Sequence, residues 1–69
     1  MNKFEVDSYQ LAESKKWVPA GTLFVISDNK MDIQKSEFSP EHRFDTRKEA
    51  DEVFRNYYLK KGFIENDNK

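Results

Sequence analysis

A chain of 69 residues makes one small domain, which buries only about 60% of the surface its unfolded form exposes and so needs dense packing or self-association. It has no cysteine, which excludes disulfides and the usual structural zinc sites, and leaves ten aromatics (six Phe, three Tyr, one Trp) to supply the packing. Twelve Lys and Arg against 13 Asp and Glu give a formal net charge of −1, short of the basic excess on which phosphate binding rests.

The start, Met1-Asn2-Lys3-Phe4-Glu5, lacks the apolar run of a signal peptide, and no segment reaches membrane-spanning length. The expectation is a cytoplasmic protein with no membrane partner. Phe4 to Leu11 reads as a first strand with imperfect alternation. Phe4 and Val6 share one face, Tyr9 and Leu11 the other, so a bulge is expected near Asp7-Ser8. Glu13 to Lys16 is a polar turn.

Trp17 to Ser27 is the strongest strand. Trp17, Leu23 and Val25 fall on one face, and Val18, Ala20, Phe24 and Ile26 on the other. A strand apolar on both faces is normally central and covered twice. Pro19 and Gly21 weaken its start, so regular pairing is expected from Thr22 onward. Asp28-Asn29-Lys30 is a hairpin turn, with Asn29 suited to the left-handed region. Met31 to Phe38 is a third, more polar strand for a sheet edge, with Met31 and Ile33 on one face.

After the loop Ser39 to Arg43, Thr46-Arg47-Lys48-Glu49 has the spacing of a capping box and starts a helix over 47–61. Ala50, Val53, Phe54, Tyr57 and Tyr58 recur at helical spacing, and Gly62 ends it. Of the two tyrosines, Tyr57 is expected in the core and Tyr58 at the margin, where it is the better interface candidate. Phe63 is expected to fold back onto Tyr58. The fold class is therefore α+β: a three-stranded antiparallel meander followed by one helix packed across it, spanning 1–64, with a polar disordered tail over 65–69.

From Trp17 onward, Trp-x-x-Ala-Gly, a hairpin, Phe38, then Phe44-x-Thr-Arg-x-Glu-Ala resembles the small bacterial domains known as HlyU-like. The resemblance runs from Phe4 to Phe54 and implies a bacterial protein in a setting of transcriptional regulation. One departure stands out. Where such domains carry Arg-Ala-Asp after the strand phenylalanine, this chain has Pro40-Glu41-His42.

Chemistry-bearing patterns are sparse. His42 sits beside Glu41 and Asp45, but a metal site needs three or four converging ligands, and no second histidine or any cysteine exists. The serines lack an elbow or oxyanion signature, and two distant glycines make no phosphate cradle. No enzyme activity, cofactor or metal is expected. Lys15, Lys16 and Trp17, with Arg43, Arg47 and Lys48 at the helix start, form a basic and aromatic set that would suit a nucleic-acid backbone. Arg47 and Lys48 also stand four residues before Asp51 and Glu52, where helix-surface ion pairs account for them equally.

One helix covers one face of a three-stranded sheet and leaves the other bare. That bare face carries either Trp17, Leu23 and Val25 or Val18, Phe24 and Ile26. The expectation is a protein-interaction surface made by Trp17, Leu23, Val25 and Tyr58. Its partner is a second copy in a homodimer, or another protein. Binding to nucleic acid through the basic set is the alternative.

Overall fold

The computed structural model describes residues 1–66. Its elements are β1 (Lys3–Val6), β2 (Tyr9–Gln10), β3 (Trp17–Val18), β4 (Ala20–Ser27), β5 (Lys30–Glu37), α1 (Arg47–Lys60) and β6 (Ile64–Glu65). The class is α+β, with a mixed main sheet in the order β5-β4-β1-β6. Antiparallel β1, β4 and β5 form the meander, whereas β6 runs parallel to β1.

Two additions correct the plain three-strand-plus-helix plan. The first and second strands are each broken, and their outer pieces, β2 and β3, make a separate two-stranded sheet. The first break falls after β1, where the Asp7 N–H still donates to the Ala20 carbonyl (2.8 Å) before the chain leaves the ladder. The second is Pro19, which has no N–H to give and lies between β3 and β4. The other addition is β6. Glu65 and Asn66, expected in a polar tail, pair with β1 instead. The Asn66 N–H donates to the Phe4 carbonyl (2.7 Å), and the Glu65 carboxylate accepts from Arg55 (2.8 Å). That bond and the neighbouring acids hold the Arg55 guanidinium above its ordinary pKa, against a smaller effect of burial. The rest of the expected tail, 67–69, lies outside the described residues.

The core sits between α1 and the sheet. Phe4 from β1, Leu23 from β4, and Phe54 and Tyr58 from the helix form its centre, with Val6, Val25, Phe38 and Phe63 packed around them. The Phe54 and Tyr58 rings lie 4.8 Å apart, and Phe4 meets both at 6.1 Å. Ala50, Phe54 and Tyr58, each four apart, are the buried stripe of the helix. Tyr58 is 9% exposed and Tyr57 45%, the reverse of the expected assignment. Four-residue spacing from Phe54 aims Tyr58 at the sheet and turns Tyr57 toward the margin, against Phe38 at 5.3 Å. The Tyr58 hydroxyl shares a hydrogen bond with Ser36 Oγ on β5 (2.6 Å), which ties the helix to the edge strand.

Both helix ends are closed as their residue types dictate. The Glu49 N–H donates to Thr46 Oγ1 and the Thr46 N–H to the Glu49 carboxylate, each at 3.2 Å. At the other end Gly62 takes φ 92°, the Phe63 N–H donates to the Tyr58 carbonyl (3.0 Å), and the Gly62 N–H donates to that of Leu59 (3.1 Å). This is a Schellman motif, and Phe63 closes it by packing on Tyr58 at 5.2 Å.

Candidate functional site

Alternation along the strands decides which side chains face the helix. Phe4 and Leu23 are paired neighbours in the core, so Lys3, Glu5, Thr22 and Phe24 face away from it. The turn then sets β5. Asp28 and Asn29 both have positive φ (49° and 63°), a two-residue hairpin that places Lys30 opposite Ser27. Counting back from that pair puts Met31 beside Ile26 and Ile33 beside Phe24.

These four side chains form one apolar strip on the face away from the helix, and Ile64 from β6 lies on the same face beyond Lys3, which separates it from Phe24. Ile26 is 40% exposed, Ile64 44%, Met31 56% and Ile33 64%, while Phe24 is half-buried among them. Among the described residues, no element packs across this strip. Phe63 faces the core and Ile64 lies beside Lys3 at the edge of this face, so Phe63-Ile64 does not fold over the strip.

The interface residues read from the sequence are therefore on the wrong side. Leu23 and Tyr58 are core residues, and Val25 packs against them under the helix. Trp17 lies in the small sheet, where its N–H and carbonyl bond the backbone of Phe44, each at 2.8 Å. The other set weighed for the bare face was nearer: Phe24 and Ile26 do lie there, whereas Val18 is fully buried. Met31, Ile33 and Ile64 were missed. A signal for the first two exists in the sequence, since a two-residue turn at Asp28-Asn29 fixes both cross-strand partners.

The basic set is brought together in part. Arg47 lies over the Trp17 ring at 5.7 Å and contacts Asp7 (3.4 Å) and Asp51 (3.7 Å). Lys16 pairs with Asp45. Two of the five cations are thus matched by carboxylates. Lys15 and Lys48 are exposed, and Arg43 lies apart, beside Leu11, Ser14 and Pro40 at a surface hollow of about 410 Å³. His42 is exposed, with its ring edge-on to Phe38 at 6.0 Å. Among the described residues, no group of three or more acidic, histidine or cysteine side chains converges as a metal site. No helix among them is long and apolar enough to cross a membrane. Comparison with known protein families, characterised proteins and solved structures finds no match.

Proposed function

We propose that the protein is a non-enzymatic interaction module whose binding surface is the uncovered face of the main sheet, and that a second copy of the chain occupies it. The observation that carries this reading is the strip of Phe24, Ile26, Met31 and Ile33, with Ile64 beyond Lys3, on a face that the single helix leaves bare. An exposed apolar strip in a small, highly charged chain costs solubility unless something covers it. The HlyU-like resemblance supplies a bacterial regulatory setting for such a module.

The four most exposed of these side chains are between 40% and 64% accessible, so closing the face on both copies removes about half of each from water. At about 2 kcal/mol for a whole side chain, that is worth about 8 kcal/mol across the dimer. Lost rotational and translational freedom takes back at least about 4 kcal/mol, which leaves at most about 4 kcal/mol and a dissociation constant of about 1 mM or weaker. The module is then a weak, exchangeable dimer.

Binding of nucleic acid through Lys15, Lys16, Trp17, Arg43, Arg47 and Lys48 is the second reading. The grouping of Arg47 with Trp17 favours it; the matching of Lys16 and Arg47 by carboxylates weighs against it. The two differ in salt dependence, because phosphate contacts weaken steeply as salt rises and an apolar contact does not. A pair of variants tests the leading reading. Phe24→Lys should leave the fold intact by circular dichroism and abolish self-association, whereas Leu23→Lys should unfold the domain. A Phe24→Lys protein that still associates like the parent would refute it.

A further inference from the structure

Sulfur chemistry in this chain rests on methionine alone, because the sequence holds no cysteine and two methionines, Met1 and Met31. Met31 is the second residue of β5, paired with Ile26 across the ladder on the face turned away from the helix. It is 56% exposed, so its thioether is open to a small oxidant in water. Ile33 follows on the same face, and Phe24, which pairs with Ile33, is the diagonal neighbour of Met31. Among the four side chains of the strip, Met31 is the one whose polarity a mild peroxide can change.

The fold does not depend on this side chain. The core is built from Phe4, Leu23, Phe54 and Tyr58, with Val6, Val25, Phe38 and Phe63 around them, and Met31 is not among these residues. β5 is held by its ladder to β4, from Ala20–Glu37 to Ser27–Lys30, and by the Ser36–Tyr58 hydrogen bond, none of which uses the thioether. Association through the uncovered face does depend on it, since each dimer buries two copies of Met31. Hydrogen peroxide oxidises the thioether by transfer of one oxygen atom. The sulfur lone pair attacks the peroxide, the O–O bond breaks, sulfur gives up two electrons to form the sulfoxide, and the other oxygen leaves as water. An apolar sulfur is thereby replaced by a strong hydrogen-bond acceptor. The hydrocarbon side chains of Phe24, Ile26 and Ile33 offer it no donor, and a polar group closed in without a partner opposes burial.

We infer that Met31 is an oxidation-sensitive control point of self-association: its thioether permits the contact between two copies, and its sulfoxide releases them with the fold intact. The inference rests on the proposed use of the uncovered face by a second copy. Because that contact shelters the sulfur, oxidation draws on the monomer and pulls the equilibrium away from the dimer by mass action. A thiol-dependent sulfoxide reductase resets the site, the sulfoxide oxygen leaving as water while two thiols become a disulfide.

Concentration-dependent amide shifts of the full chain test this on the parent and on Met31→Leu, each before and after hydrogen peroxide, with sulfoxide formation at Met31 and Met1 confirmed by mass spectrometry. The reduced parent should show shifts on β4 and β5 that grow with concentration. Its oxidised form should associate about tenfold more weakly or worse, since both copies lose an apolar group at once. Met31→Leu keeps the apolar volume and should associate like the reduced parent before and after peroxide, although Met1 is still oxidised in it. Thermal unfolding of the oxidised parent should stay near that of the reduced parent, since exposed positions away from caps and core have small effects on folding. An oxidised parent that associates like the reduced one, one that unfolds, or a Met31→Leu protein that loses association on oxidation would each overturn the inference and leave the functional reading standing. A reduced parent whose spectra do not change with concentration would overturn both.

Discussion

Gly21→Ala is the substitution for which the structure sets the largest cost at the smallest chemical change. Gly21 lies in β4 where the Phe54 ring and the β1 backbone close in together. A β-carbon placed there would stand 2.1 Å from the Glu5 carbonyl oxygen and 2.8 Å from the Phe54 ring. The ring can tilt, but the carbonyl belongs to the paired strand and cannot yield without moving β1. Overpacking of this kind costs about 1–3 kcal/mol, and a backbone obstacle puts the site at the top of that range. Replacing glycine also restricts the unfolded chain, which returns about 0.4–1 kcal/mol. A net loss of about 2 kcal/mol is expected, against a total of about 3–10 kcal/mol for a domain of this size. In a 60–100-residue domain this lowers the melting temperature by about 8–16 °C. Urea unfolding followed by circular dichroism gives the value directly. A midpoint equal to or above that of the parent would mean that only the entropy gain operates, and that β1 and Phe54 do not crowd Gly21.

Three further substitutions probe separate contacts. Thr46→Ala removes the hydroxyl that caps α1 and should cost about 0.5–2 kcal/mol, read from the denaturation midpoint at unchanged slope. Tyr58→Phe keeps the core ring but deletes its bond to Ser36 Oγ. It should cost about 1 kcal/mol and speed amide exchange in β5, the strand held to the helix by that bond. Ser8→Ala should be neutral or stabilising by up to about 1 kcal/mol in thermal unfolding, because Ser8 is 4% exposed and its hydroxyl makes no hydrogen bond.

What the sequence revealed and what it hid divide by the range of the interactions. Thr46 and Glu49, and Tyr58 with Gly62 and Phe63, act over a few residues. The helix could therefore be placed, with both ends closed, from local chemistry alone. The interruptions after Val6 and at Pro19 were equally local, but regular pairing begins at Ala20 and includes Gly21, two residues before the expected Thr22. The face of β4 under the helix was not legible, because both faces are apolar and the choice depends on where Gly21 admits the Phe54 ring. That ring fixes Leu23 and Val25 inward and Phe24 and Ile26 outward. The same packing exchanged the roles of Tyr57 and Tyr58. β6 was the furthest from reach. Glu65 looks like the start of a charged tail, and only pairing of Ile64 and Glu65 with a strand 61 residues earlier, at Lys3 and Phe4, makes them part of the sheet.

The candidate surface was legible as a problem before it was legible as a place. A two-faced strand with a single helix to cover it implies a bare face. The hairpin register then adds Met31 and Ile33 to that face. A charged β5 border, with Lys35 and Glu37 on the same side, discourages the alternative of edge-to-edge pairing through the free strand.

The most direct test is a dilution series of nitrogen-15-labelled protein followed by amide chemical shifts, from about 50 μM to about 3 mM, which reaches the expected dissociation constant of about 1 mM. Concentration-dependent shifts and line broadening should gather on β4 and β5, around Phe24, Ile26, Met31 and Ile33, with the exposed side of α1 and the Trp17–Phe44 region unchanged. Spectra that do not vary with concentration, or changes centred on Trp17, Arg43 and Arg47, would contradict self-association through the uncovered sheet face.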